Sequence, residues 1–140
     1  MANIRTPRVN RLYSDLDLDF LPHPTTKDVV KKTGVDAIKR SIRNLVLTNF
    51  YDRKFQSYIG SNAVKILFDN VSPLTATFLQ NAIIEVITNF EPRVQLVNNE
   101  YRGVYVEVDA DRNGYNVRIE FIVVNTGEKA YQGIFLERIR

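Results

Sequence analysis

The sequence predicts an α+β domain, with N-terminal helices packed on a mainly antiparallel C-terminal sheet. Two observations carry this. Apolar residues recur at helical spacing through residues 33–48 and 72–90, and after Pro92 the period changes to two. Helices followed by a meander of strands are expected to lie on one face of the sheet those strands form. A chain of 140 residues, 44% hydrophobic and 25% charged, suits one globular domain. At that size roughly two-thirds of the unfolded surface is buried without a metal or disulfide staple.

Residues 1–11 hold three Arg and a Pro without periodicity and read as a flexible N-terminal arm, with the domain occupying 12–140. From Leu12 to Leu21 apolar residues alternate with Asp15, Asp17 and Asp19 until Pro22 and Pro24 intervene, which predicts an edge strand or extended segment. Val35, Ile38, Ile42, Leu45 and Val46 make one helical face opposite Lys39, Arg40 and Arg43, with Thr33 or Asp36 as the cap. A polar, aromatic-rich loop follows over 49–60. Ser61 is then expected to cap a short helix through Asp69 that buries Ala63, Ile66 and Leu67.

Ser72 followed by Pro73 is a stronger start signal. The long helix it opens carries Leu74, Phe78, Ala82, Val86 and Phe90 along one stripe, widened by Leu79, Ile83 and Ile87, and Pro92 stops it. Val104, Val106 and Val108 next alternate with Tyr105 and Glu107. Past Asn113-Gly114, the turn pair of a hairpin, Val117, Ile119, Phe121 and Val123 alternate with Arg118 and Glu120. A last strand is expected between Ala130 and Ile139.

Function classes narrow quickly. With no Cys there is no disulfide, zinc thiolate site, iron–sulfur cluster or cysteine nucleophile, and the composition suits a reducing compartment. The one His, His23, lies between two prolines with no evident partner for catalysis. No apolar run reaches membrane-spanning length, and the N-terminal residues lack the core of a secretory signal. The net charge of +3 is uneven: 11 basic against 6 acidic residues over 1–60, 2 against 4 over 61–100, and 6 against 6 over 101–140. That basic surplus makes a nucleic-acid module using Lys39, Arg40 and Arg43 one alternative. The chain lacks the dense basic stripe of a committed binder, so no nucleic-acid partner is expected. Paired carboxylates for a hydrolase, such as Glu85 with Glu91, have no spacing that separates a cleft from a solvated surface.

Asp109, Asp111, Asn113, Gly114 and Glu120 fit the spacing of a calcium-binding loop. The flanks alternate with period two where that loop needs helices. A hairpin turn is therefore expected, with no metal and no cofactor. Glu91-Pro92-Arg93 is a different signal: a helix stop with opposite charges on either side, where the guanidinium can donate up to five hydrogen bonds.

Taken in order, 15–30 (DLDLDFLPHPTTKDVV), 37–49 (AIKRSIRNLVLTN), 60–76 (GSNAVKILFDNVSPLTA) and 91–94 (EPRV) resemble the small baseplate wedge proteins of contractile phage tails. This is the sheath-initiator family, which has long carried a lysozyme-like label. The resemblance spans about residues 12–110. It implies a non-enzymatic structural protein of the virion's tail baseplate, assembled in the host cytoplasm, with no catalytic residues. The implied partners are the wedge proteins of the core bundle, the tail sheath protein and the tail tube. The family's Glu-Pro-Arg signature maps onto Glu91, Pro92 and Arg93 as the wedge contact. Residues 129–140 become a terminal strand that pairs with sheath through Tyr131, Ile134, Phe135 and Leu136. Where many members carry an Arg-Pro-Phe-x-Pro loop, this chain has Arg53-Lys54-Phe55-Gln56-Ser57, without either proline. The lysozyme-like label makes a peptidoglycan hydrolase the other alternative.

Overall fold

A computed structural model describes residues 13–17 and 19–139. The arm expected over 1–11 lies outside them. Two compact units are present, one ending at Ile38 and the other spanning Lys39–Arg140.

In the first unit a three-residue strand, β1 (Ser14–Leu16), pairs antiparallel with β2 (Lys31–Thr33). The excursion between them is pinned by the Pro22–Val29 bridge. His23 serves as a local cap: its Nδ1 accepts from the backbone N–H of Thr25 at 3.3 Å and of Thr26 at 3.4 Å. Asp17, nearly fully buried, faces the Lys32 ammonium at 3.6 Å.

Helix α1 (Val35–Leu47) carries the expected face, with Ala37, Ile38, Ile42, Leu45 and Val46 all buried. Its start differs from expectation. Thr33 closes β2 and Asp36 already sits in the first turn, while the Gly34 carbonyl accepts the first helical bond from Ile38. Gly34 has φ +62°, a left-handed conformation that glycine adopts without a Cβ penalty.

In the second unit, α2 is a single turn, Ala63–Ile66. Asn62 occupies its N-cap without a side-chain bond. Ser61 lies one residue earlier, accepting from the Ala63 N–H at 3.2 Å and donating to the Val46 carbonyl at 2.7 Å. Ala63 and Leu67 are buried, and Ile66 only half so. Helix α3 runs from Pro73 to Phe90 as predicted. Ser72 accepts from the Thr75 N–H at 3.1 Å, and Pro73 takes the first helical position, where its missing N–H costs nothing.

The buried stripe of α3 is Thr75, Ala76, Leu79, Ile83, Val86 and Ile87, whereas Leu74 and Phe78 are 65% and 55% exposed. This corrects the expected face. The helix is apolar on two adjacent lines, and spacing alone cannot say which of them meets the sheet.

That sheet has four antiparallel strands: β3 (Val94–Leu96), β4 (Val104–Asp109), β5 (Gly114–Val123) and β6 (Lys129–Glu137). The ten-residue β5 is its spine. One side of β5 pairs with β4 over Gly114–Ile119 and with β3 over Phe121–Val123, and the other side pairs with β6 over Gly114–Ile122. Tyr115, Val117, Ile119, Phe121 and Val123 turn to the inner face, which α3 covers along β4 and β3. Arg118 and Asn116 turn outward.

The loop from Asp109 to Gly114 is the β4–β5 hairpin connection. Asn113 supplies the left-handed residue, with φ +51°. Gly114 is needed for room rather than for φ, since a Cβ there would come within 2.6 Å of the Leu136 carbonyl oxygen. Asp109 is used within the turn, accepting from the Arg112 N–H at 3.1 Å and from the Asn116 amide at 3.2 Å. Glu120 pairs with Arg118 at 3.1 Å. Strands on both sides replace the helices that a calcium loop would require.

Candidate functional site

Where α3 stops, the chain must turn from helix into β3, and Glu91-Pro92-Arg93 makes that turn. The Glu91 N–H still closes the last helical bond to Ile87, and Pro92 cannot continue the helix. Arg93 then folds back. Its Nε donates to Glu91 Oε1 at 2.5 Å and its Nη2 to Oε2 at 2.7 Å, a bidentate pair. A third donor comes from α1, where the Ser41 hydroxyl reaches Glu91 Oε2 at 2.5 Å.

Glu91 is 2% exposed. Burial pushes its carboxyl up, but the Arg93 hydrogen bonds, the Ser41 hydroxyl and the Arg93 charge outweigh that and hold it below the usual carboxylate range. Of the three residues expected to meet a partner, Glu91 is therefore turned inward. Pro92 is exposed and Arg93 partly so. The bond from Ser41, fifty positions away, has no signal in the sequence.

The four residues expected on the C-terminal strand divide between its faces. Ile134 and Leu136 are core residues, 6% and 3% exposed, packed on the inner side. Tyr131 and Phe135 lie on the outer face with Gly133 between them. The Arg118 guanidinium sits 4.9 Å from the Tyr131 ring centre with Lys39 at 5.7 Å, and Arg112 sits 4.0 Å from that of Phe135.

Hydrogen-bond parity decides which backbone groups of β6 remain open. The Glu120 N–H donates toward Gly103 and the Glu120 carbonyl accepts from Val97, so the backbone of every even-numbered β5 residue faces β3 and β4. The odd-numbered ones face β6, where their partners are Gln132, Ile134 and Leu136. Tyr131, Gly133 and Phe135 therefore direct their N–H and C=O groups away from the sheet. Gln132 bends over to donate to the Gly133 carbonyl at 2.9 Å, and no strand pairs with this edge among the described residues.

The fold is thus an α+β domain with a helix end braced by a buried ion pair and, among the described residues, a terminal strand left without a partner strand on its outer side. The chain is a member of the gp25 family of baseplate wedge proteins: the family model described as baseplate wedge protein gp25 matches residues 32–128. It is 35% identical over 132 residues, 94% of its own length and 92% of the relative's, to the baseplate wedge protein gp25 of Enterobacteria phage T4.

Two solved structures share the fold at 20% identity. One is a putative tail lysozyme from Geobacter sulfurreducens, with a TM-score of 0.64, covering 79% of this chain and 98% of that one. The other is in the baseplate of the anti-feeding prophage, with a TM-score of 0.58, covering 91% and 87%. The protein is thus a structural component of a virion's tail baseplate. No helix among the described residues is long and apolar enough to cross a membrane.

Proposed function

We propose that this wedge protein is a non-enzymatic adaptor that docks on other wedge proteins at the Pro92–Arg93 corner and templates the first sheath ring by accepting a strand on the outer edge of β6. The outward backbone groups of Tyr131 and Phe135 and the outward N–H of Gly133, which no strand pairs among the described residues, carry the reading. An edge strand left uncovered invites aggregation unless a partner closes it. Glu91 supports docking indirectly. It aims and neutralises Arg93, so that the corner offers the rim of a guanidinium beside a proline.

The same carboxylate weighs against the hydrolase alternative. A general acid for glycoside cleavage needs its pKa raised, and Glu91 is held low by an ion pair. Zymogram clearing of peptidoglycan by the purified chain would revive that alternative.

The templating test is co-sedimentation with the tail sheath protein of the same virus. Removing β6 altogether would also remove Ile134 and Leu136 from the core, so the informative variant is Gly133→Pro. It deletes an outward N–H without touching the ladder to β5. The wild type is expected to seed sheath polymer, and the variant to lose seeding while melting as the wild type does. Equal seeding by both would reject strand addition at β6.

A further inference from the structure

Among the described residues the sheet has a second edge without a partner strand, on the far side of β5 from β6, and it borders a groove. By the same parity, Tyr105, Glu107 and Asp109 bond to β5, while Val104, Val106 and Val108 direct their backbone groups outward. At Val104 those outward groups are occupied: its N–H donates to Tyr101, and its carbonyl accepts from the Gln80 amide on α3 at 2.9 Å. At Val106 and Val108 no backbone partner is present among the described residues.

Beside them runs a groove of about 450 Å³ between α3 and β4. The helix lines it with the small side chains of Pro73, Ala76 and Thr77. A groove between a helix and an open edge strand offers main-chain hydrogen bonds on one side and side-chain pockets on the other, the arrangement by which an extended peptide is bound as an added strand.

Charge narrows the occupant. Glu107 is the one carboxylate in the lining, which holds no basic side chain, and no ion pair engages it among the described residues. A residue on an added strand directly opposite Glu107 would be its cross-strand neighbour, where a cation is favourable and a carboxylate unfavourable. Self-pairing of β4 with a second copy would bring Glu107 and Asp109 close to their own counterparts, like charges on facing strands.

We propose that the α3–β4 groove binds an extended, basic segment of a partner protein as a fifth strand, apolar residues facing Val106 and Val108 and a Lys or Arg facing Glu107. This goes beyond templating at β6 and uses the opposite edge of the sheet.

The test titrates the isotopically labelled full chain with two capped peptides, Thr-Val-Lys-Val-Lys-Val-Thr and its Glu-for-Lys counterpart, reading amide shifts and affinity by NMR. The basic peptide is expected to bind saturably, shifting amides at 76–80 and 105–109, with the acidic one at least about tenfold weaker. Val106→Pro removes an outward N–H without breaking the ladder to β5, and Thr77→Phe fills the groove from an exposed helix position, so one survives if the other misfolds. Each is expected to weaken binding about tenfold or more, with Gly133→Pro binding as the wild type does. Absence of saturable binding, equal affinity for both peptides, unchanged binding by a folded Val106→Pro or Thr77→Phe variant, or shifts confined to 129–137 would overturn the proposal. A loss of sheath seeding in Gly133→Pro would leave it standing.

Discussion

Ser41 and Arg93 hold the same oxygen of Glu91, one from the middle of α1 and the other from the start of the sheet. Through that carboxylate, α1, the end of α3 and the entry to β3 are tied at a single buried point. Each donor removes part of the cost of taking Glu91 out of water, and neither does so alone.

Replacing Arg93 by Ala should therefore cost more than a surface ion pair. A fully buried pair broken on one side costs about 3–5 kcal/mol. Arg93 keeps 30% of its side chain in solvent, and water can enter the vacated space, so about 2 kcal/mol is expected from urea unfolding. Ser41→Ala is the informative control for assembly, since it loosens the same buried point but keeps Pro92 and the Glu91–Arg93 pair. If Arg93→Ala lowers wedge yield under conditions where both variants stay folded and Ser41→Ala does not, the corner is a contact. Equal yields would assign it to folding alone.

The same carboxylate sets an acid limb of stability. Its pKa is lower folded than unfolded, so the unfolded state binds the proton first as pH falls. The contribution of Glu91 is complete above the ordinary glutamate value of about 4.3 and is lost as pH drops through the lowered folded value. Thermal melts between neutrality and strong acid should show the midpoint falling in that window. In Glu91→Gln that part of the slope should vanish, and an unchanged slope would assign the acid limb to other carboxylates.

The long helix and the β4–β5 hairpin were legible because local chemistry and periodicity agree there. Ser72 and Pro73 mark the start of α3, Pro92 its stop, and Asn113-Gly114 the turn. What stayed hidden depends on partners distant in the chain. Lys31-Lys32-Thr33 has no apolar alternation, yet it is a strand because it pairs with Ser14–Leu16. Val94–Leu96 is too short to show a period and exists as β3 by pairing with β5. The Glu91 site was half visible. Its helix stop and its arginine are adjacent in sequence, while its burial and its bond from Ser41 are tertiary. Gln80, which closes the outward Val104 carbonyl, had no signal distinguishing it from any polar residue on a helix.

The Ser72 cap gives a direct check on the local reading. Its oxygen accepts from the Thr75 N–H and also contacts the Thr75 hydroxyl at 2.9 Å. Ser72→Ala should lower stability by about 1 kcal/mol. Ser72→Asp, which restores an acceptor and adds a charge favourable to the helix N-terminus, should recover most of that. If both variants lose equally, the hydroxyl contact to Thr75 rather than the cap dominates.

Two glycines separate a requirement of the fold from a feature of the surface. At Gly60 an added Cβ would lie 2.5–2.6 Å from the carbonyl group of Asn49 and the nitrogen of Phe50, all backbone atoms that cannot swing aside. The parallel bridge between Asn49 and Ser61 would have to open, so Gly60→Ala should destabilise by about 2–4 kcal/mol. At Gly133 a Cβ would meet nothing within 4 Å, and the backbone is ordinary extended strand. Glycine in a strand interior carries an entropic cost, so Gly133→Ala should be neutral or stabilising by up to about 1 kcal/mol in the isolated protein. Any penalty should appear only on assembly, where a bare backbone between Tyr131 and Phe135 gives a partner close approach. Chemical unfolding of both variants, followed by sheath seeding with Gly133→Ala, measures the difference. A destabilised Gly133→Ala monomer would make the glycine a requirement of folding, and a stable variant that seeds normally would show that no partner uses the space.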